Sequence, residues 1–291
     1  MKKLLIFGID SFTGNHLSQY LKNYGYSIYG TSLDKENNNN IYKCDITNKD
    51  QILKVLKVVN PQYIINLSAI SFVAHGDNEA FYKVNTIGAV NIAQSILELS
   101  LNINKAIFVS SATVYGNQNR EILDESLCPK PANHYGASKY AMECLLSNYF
   151  DKLPIIITRP FNYTGKGQAD FFLVPKIVKH FKEKKETIEL GNIDVIREFN
   201  DIYFLCEAYK RLLENNSTAL TVNIASGRGI KLLDIVKIMQ DITHHNINIK
   251  INPKFIRKNE IKKLVGSNKK LFKLVHYIEQ KNIKDTLKSM L

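Results

Sequence analysis

Leu4-Leu5-Ile6-Phe7-Gly8-Ile9-Asp10-Ser11-Phe12-Thr13-Gly14 carries an unbroken apolar run straight into a glycine-bounded turn. Consecutive apolar residues with no polar partner between them fit a strand buried on both faces, and such strands belong to parallel sheets. After the turn, Leu17, Tyr20, Leu21 and Tyr24 recur at helical spacing, giving the next segment one apolar stripe to lay on that sheet. The alternation continues. Residues 27–31, 63–67, 106–110 and 155–158 read as buried strands, with helical patterns between them such as Ile52, Val55, Leu56 and Val59.

Strand and helix alternating at this rhythm imply right-handed βαβ units. The expected fold is α/β, a Rossmann-type doubly wound parallel sheet with a smaller C-terminal α+β substrate domain. Beyond Gly167 the rhythm changes: Val174, Ile177, Val178 and Phe181 mark one helix, Leu205, Ala208, Tyr209 and Leu212 another, and Ile235, Ile238 and Ile242 a third. Short apolar runs such as 220–225 lie between them. A cofactor domain over residues 1–165 and a substrate domain over 166–291 follow, with parts of 200–225 returning to the first. No internal repeat is visible, and the Asn-rich run 37–40 reads as a surface loop.

An apolar fraction of 45% and a charged fraction of 23% over 291 residues are ordinary for a globular protein, and no stretch approaches the ~20 apolar residues of a membrane span. Met1-Lys2-Lys3 and the apolar run after it resemble the front of a signal peptide, but the run ends too early and no small-residue cleavage site follows, so a cytoplasmic protein is expected. Cys44, Cys128, Cys144 and Cys206 lie far apart, which signals neither a disulfide framework nor a zinc site, and no metal is expected. Positive charge gathers at the end of the chain, where residues 246–291 hold eleven lysines and Arg257 against Glu260, Glu279 and Asp285. Such a run reads first as a solvated face, and alternatively as a site for a polyanion or a diphosphate.

The turn after the first strand is where backbone N–H groups and a helix dipole can hold a pyrophosphate. The middle glycine of a G-x-x-G-x-x-G pattern is Ser11 here. An acid that would bind an adenosine ribose should close the second strand, where the chain reads Thr31-Ser32-Leu33, with Asp34 and Lys35 just beyond. With no acid at that strand end the reading leans to NADP(H) over NAD(H), and the lack of an arginine keeps the lean small.

Tyr135-Gly136-Ala137-Ser138-Lys139 sets a phenol and an ammonium four residues apart, on one face of a helix. The ammonium is expected to lower the phenol's pKa so that it can trade a proton with a substrate oxygen. The spacing alone is weak evidence: with 15 tyrosines in a lysine-rich chain about two such pairs arise by chance, and Tyr277 and Lys281 repeat it. Context separates them. Tyr135 opens the helix after the fourth of the strands just named, where strand carboxyl ends gather, whereas Tyr277 lies in the basic tail. Ser111, in Phe108-Val109-Ser110-Ser111-Ala112-Thr113-Val114-Tyr115-Gly116, closes that strand and should present its hydroxyl at the same edge.

Together these residues resemble the extended short-chain dehydrogenase/reductases, the epimerases, dehydratases and reductases of sugar nucleotides, and the likeness spans nearly the whole chain. The glycine turn, Ser-Ala-Thr-Val-Tyr-Gly and Tyr-x-x-x-Lys occur in that family's order. Cys44-Asp45-Ile46 looks like its adenine-contacting segment, Asn66-Leu67-Ser68-Ala69 like its cofactor-lining third strand, and Asn85 like the helix asparagine after it. Arg159-Pro160-Phe161-Asn162-Tyr163-Thr164-Gly165-Lys166-Gly167-Gln168 resembles the reductases of GDP-4-keto-6-deoxymannose, Lys166 replacing the usual proline. The segments 195–202, 225–229 and 257–261 follow the same pattern.

The resemblance implies catalysis by Ser111, Tyr135 and Lys139. It implies cofactor contacts from Gly8, Ser11, Phe12, Thr13, Gly14, Ser32, Asp45, Ile46, Leu67, Ser68, Ala69, Tyr135, Lys139 and Pro160. Substrate contacts would come from Thr113, Asn162, Arg197, Arg228, Arg257 and Glu260. Arginine is scarce, with six in the chain, and its presence at these points suits a nucleotide diphosphate gripped by bidentate hydrogen bonds. Family dehydratases carry an acid and a base just after the catalytic hydroxyl, where this chain has Ala112 and Thr113, and the 3,5-epimerising reductases carry Cys and His where it has Thr113 and Gly167.

The expected activity is therefore NAD(P)H-dependent reduction of the 4-keto group of a nucleotide-activated, GDP-linked deoxy sugar or heptose for surface polysaccharide synthesis. A 4-epimerase or 4-dehydrogenase with tightly bound NAD is the alternative, and a non-catalytic dinucleotide-binding protein the second. A homodimer pairing helices 81–99 and 135–149 is implied by the resemblance, while no nucleic-acid or membrane partner is expected.

Overall fold

The computed structural model describes residues 2–34, 40–71, 76–257 and 259–291. Lys35, most of the Asn-rich run and Lys258 lie outside the described residues.

The elements run β1 (Lys2–Phe7), α1 (Phe12–Lys22), β2 (Tyr26–Ser32), β3 (Ile41–Lys43), α2 (Lys49–Val59), β4 (Tyr63–Asn66), α3 (Asn78–Phe81), a π-helical turn over Tyr82–Gly88, α4 (Ala89–Glu98) and β5 (Lys105–Val109). A 3-10 turn over Ala112–Tyr115 precedes α5 (His134–Ser147), β6 (Ile155–Pro160) and β7 (Tyr163–Thr164). The remainder holds α6 (Leu173–Lys182), β8 (Thr187–Leu190), β9 (Ile196–Arg197), β10 (Asn200–Asp201), α7 (Ile202–Glu214), β11 (Leu220–Ile224), β12 (Ile230–Lys231), α8 (Leu232–Thr243), β13 (Asn248–Ile251), β14 (Lys263–Leu264), α9 (Lys269–Val275) and α10 (Ile283–Met290).

A seven-stranded sheet in the order β11-β6-β5-β4-β1-β2-β3 forms the centre, and every neighbouring pair in it is parallel. This is the Rossmann-type architecture that the alternating pattern predicts. The alternation of strand side chains explains why β1 is apolar throughout: Leu4 and Ile6 pack against α1 and α7, while Leu5 and Phe7 pack against α2, α4 and α5 on the other face. Each such fully buried side chain contributes about 1.5–3 kcal/mol.

One strand escapes the sequence pattern. Residues 41–43 form a third strand at the sheet edge, so that the strand before Ser111 is the fifth in chain order, and this segment is too short for a periodic signal. Leu220–Ile224, in the stretch expected to return to the first domain, joins the opposite edge beside β6. The helix expected over 81–99 is broken by the π-helical turn, which holds Asn85.

A separate apolar cluster joins α6, α8, α10 and β8, around Ile177, Phe181, Ile188, Ile235 and Leu287. A smaller one, with Tyr115, Phe161, Ala225, Ile261 and Leu264, seats the C-terminal loops on the carboxyl edge of the sheet. Among the described residues no helix is long and apolar enough to cross a membrane.

Candidate active site

Strands of a parallel sheet end together, so the segments after β1, β4, β5 and β6 converge at one edge. β5 stops at Val109, and Ser111 caps the 3-10 turn that follows, its hydroxyl accepting the Thr113 N–H at 3.2 Å and the Thr113 hydroxyl at 2.9 Å. α5 begins beside it: the Asn133 side chain accepts the Gly136 N–H at 2.9 Å, which fixes the first turn and the Tyr135 phenol on it. One turn later Lys139 is buried, and its ammonium donates to the Val109 carbonyl at 2.7 Å.

The electrostatics differ from the sequence expectation. Burial pushes the Tyr135 phenol up to about 12, and the Ser111 hydroxyl pulls against that without reversing it. Burial brings the Lys139 ammonium down to about 8, against an upward pull from Glu143. Desolvation thus raises the phenol where the spacing led to the expectation that Lys139 would lower it, and the downward pull comes from Ser111 instead. A protonated phenol beside the Ser111 hydroxyl is a proton donor.

Beneath this pair lies a group that motif reading missed. Glu143, a further turn along α5, accepts two hydrogen bonds from Arg159 Nε at 3.0 and 3.1 Å and one from Nη2 at 2.6 Å, and takes the Ser110 hydroxyl at 2.5 Å. Both charges are buried, and the guanidinium stacks over the Tyr115 ring at 4.8 Å. Ser110 sits between Val109, which holds Lys139, and Ser111. The ion pair therefore anchors the strand end addressing both parts of the dyad. The signal was available, since Glu143 follows Lys139 at the same four-residue spacing by which Lys139 follows Tyr135.

Around the glycine turn, Ser11 caps α1 and accepts the Gly14 N–H at 3.0 Å. Gly14 is obligatory, because a Cβ there would stand 2.5 Å from the Gly8 carbonyl oxygen. A helix N-terminus is thereby presented at the end of β1, with Phe12 and Thr13 in its first turn, an arrangement that fits a dinucleotide pyrophosphate. The Thr13 hydroxyl meets the Tyr163 hydroxyl at 2.7 Å and the Phe12 ring stacks on Tyr163. Tyr163, whose field also reaches Tyr135, is the second residue that sequence reading left without a role.

Leu67, Ser68 and Ala69 follow β4, and this stretch is pinned by Asn85, which exchanges hydrogen bonds with the Ile70 backbone at 2.8 and 3.1 Å and reaches Ser138 at 3.1 Å. Asp45 caps the turn through the Thr47 N–H at 2.8 Å, and Asn91 holds the Ile46 carbonyl at 3.1 Å. Ser32 and Pro160 close β2 and β6.

The C-terminal residues are arranged otherwise. Arg197 is buried, and its guanidinium is engaged by Glu260 at 2.7 Å and by the carbonyls of Ile196 at 2.8 Å, Lys262 at 3.2 Å and Ile261. Arg257 lies close enough for its charge to act on Arg197, and Arg228, Arg257 and Asn162 are exposed. Asn117 donates to the Glu260 carbonyl at 3.1 Å, tying this loop to the segment after Tyr115. Glu198, also unassigned from sequence, accepts the backbone N–H groups of Ser226, Gly227 and Gly266 and so fixes the loop carrying Arg228.

A parallel seven-stranded sheet with Ser111, Tyr135 and Lys139 at one carboxyl edge and a helix N-terminus after β1 defines an NAD(P)-dependent oxidoreductase of the short-chain dehydrogenase/reductase type. Residues 5–290 match the family described as GDP-mannose 4,6 dehydratase, and the chain belongs to that family. It is 35% identical over 274 residues to the GDP-6-deoxy-D-talose 4-dehydrogenase of Aggregatibacter actinomycetemcomitans, covering 94% of this chain and 91% of that one. It is 26% identical over 303 residues to the GDP-6-deoxy-D-mannose reductase of Pseudomonas aeruginosa, covering 100% and 96%. In fold it resembles the Pseudomonas aeruginosa protein RMD in complex with NADPH, with a TM-score of 0.87 at 24% identity over 100% and 97% of the two chains.

Proposed function

We propose that the protein reduces the 4-keto group of a GDP-linked 6-deoxy sugar with an exchangeable nicotinamide cofactor. The observation that carries this is the Tyr135 phenol, its pKa pushed up by burial, beside the Ser111 hydroxyl, with Ala112 and Thr113 following where elimination of water would need an acid and a base. Glu143, the carboxylate one turn beyond Lys139, is already committed to Arg159 and Ser110, which supports a reading other than dehydration. The two curated relatives, a reductase and a 4-dehydrogenase, are named for opposite directions of redox chemistry on GDP-6-deoxy sugars, which supports the same reading.

When bound, the dinucleotide supplies a hydride to sugar C4. Tyr135 Oη gives its proton to the C4 oxygen, turning the ketone into a secondary alcohol. Ser111 donates to that oxygen as negative charge develops, and Thr113 orients Ser111. Lys139, held on the Val109 carbonyl, favours the phenolate left behind and offers its remaining protons to a ribose hydroxyl. Residues 1–165 bind the cofactor and 166–291 the sugar nucleotide, with α7 and β11 serving the sheet.

GDP-4-keto-6-deoxymannose, GDP-6-deoxytalose, GDP-mannose, UDP-glucose and a GDP-linked 4-keto heptose offered to the purified protein test the proposal. NAD(P)H consumption with a GDP-linked 4-keto sugar is expected. Conversion of GDP-mannose to the 4-keto product, or stoichiometric NAD released on denaturation together with 4-epimerisation, would overturn it.

A further inference from the structure

The cofactor's adenosine ribose lies over the end of β2 in folds of this class. There an acid favours the 2′-hydroxyl of NAD(H) and a cation the 2′-phosphate of NADP(H). β2 ends on Ser32 and supplies no acid of its own. The turn after β1 is fastened to that same end: the N–H groups of Gly8 and Ile9 donate to the Thr31 carbonyl at 3.2 and 3.1 Å. Ile9 lies directly over Gly30, where a Cβ would stand 2.5 Å from three of its side-chain carbons. Only glycine at position 30 lets the turn settle so low on β2.

The consequence falls on the next residue. The Asp10 carboxylate arrives beside Ser32, whose hydroxyl donates to Asp10 Oδ2 at 2.5 Å and accepts the Asp34 N–H at 3.2 Å. Asn15 fixes the turn by donating to the Asp10 carbonyl at 2.9 Å. The acid that β2 lacks is therefore contributed from the turn after β1. Lys22 borders the same hollow as Asp10 but closes the far end of α1, about 15 Å of helix away.

We propose that Asp10 selects the cofactor and makes the protein NAD(H)-preferring, the reverse of the lean read from β2 alone. This rests on the dinucleotide reading above. Asp10 accepts the ribose 2′-hydroxyl alongside Ser32, and it repels the two negative charges of a 2′-phosphate at close range.

The test is titration of the intact protein with NADH and with NADPH, followed by nicotinamide fluorescence and checked by calorimetry, for the wild type, Asp10→Asn and Asp10→Ser. Wild type is expected to bind NADH on the order of tenfold more tightly, and both variants to lose most of that ratio, chiefly through tighter NADPH. Asp10 is exposed in a turn, so the variants should keep the wild-type melting temperature. Equal or tighter NADPH binding by the wild type, or an unchanged ratio in both variants, would overturn the inference while leaving the dinucleotide reading intact. Binding of neither nucleotide would overturn that reading, and this inference with it.

Discussion

The sheet edge bearing Ser111, Tyr135 and Lys139 and the C-terminal loops bearing Arg197, Arg228 and Arg257 are built by opposite means. The first stands on long parallel strands, and each chemical group is tied directly to a strand end: Lys139 to Val109, Ser110 to Glu143, Ser111 to its own cap. The second hangs on two-residue strands and on side-chain anchors, Glu198 for one loop and Asn117 for another. In the proposed function the edge positions groups that act on one oxygen atom, and the loops hold charges that need only meet an extended diphosphate, two of them exposed and one engaged by protein groups.

The largest test of this contrast is Tyr135→Phe. Removing the proton donor should lower kcat by about 10²–10⁴-fold while NADH affinity stays within a few-fold, measured by steady-state rates and fluorescence titration. A wild-type rate would leave the edge without its assigned chemistry.

The next comparison sets the buried Glu143–Arg159 pair against the half-buried Glu260–Arg197 pair. Glu143→Ala strands the Arg159 guanidinium and should cost about 3–5 kcal/mol in denaturant unfolding. Glu260→Ala leaves Arg197 its three carbonyl partners and should cost about 1–2 kcal/mol. Equal losses would erase the distinction between anchored edge and suspended loop.

Arg228→Ala and Arg257→Ala should raise KM for the GDP sugar about tenfold each with little change in kcat, as expected for charge-assisted contacts made equally in ground and transition states. A fall in kcat at constant KM would move these arginines into the chemistry.

The smallest effect is the pH profile of reduction. Lys139 is charged below a pKa brought to about 8 by burial, so kcat/KM should fall as pH rises through that value. Glu143 pulls that pKa up, and Glu143→Gln also leaves the Arg159 cation uncompensated nearby. The midpoint should therefore move to lower pH in the variant. A midpoint that stayed or rose would detach Glu143 from Lys139.

What could be read in advance follows the same division. Four apolar residues before Gly8, and the repeats of that pattern, are enough to call for a parallel sheet, because burial on both faces leaves no room for alternation. The places of Ser111, Tyr135 and Lys139 at its edge then follow from chain order. Ile41–Lys43 was illegible because three residues carry no period, and the place of Leu220–Ile224 beside β6 because hydrophobicity does not say which strand another pairs with. Arg197 read as a substrate contact; its engagement by Glu260 and by the carbonyls of Ile261 and Lys262 depends on loops meeting across some sixty residues of sequence.

The sequence by itself determined the fold class and the common sheet edge of Ser111, Tyr135 and Lys139, the proposed catalytic trio, since both rest on local periodicity and strand order. Tertiary structure alone decided the electrostatics: burial, which no spacing encodes, holds the Tyr135 phenol near 12 and brings Lys139 to about 8. It also decided what stands at the end of β2. Asp10 and Ser32 are 22 residues apart, and only the parallel pairing of β1 with β2, with Gly30 clearing a place for Ile9, sets that carboxylate against that hydroxyl.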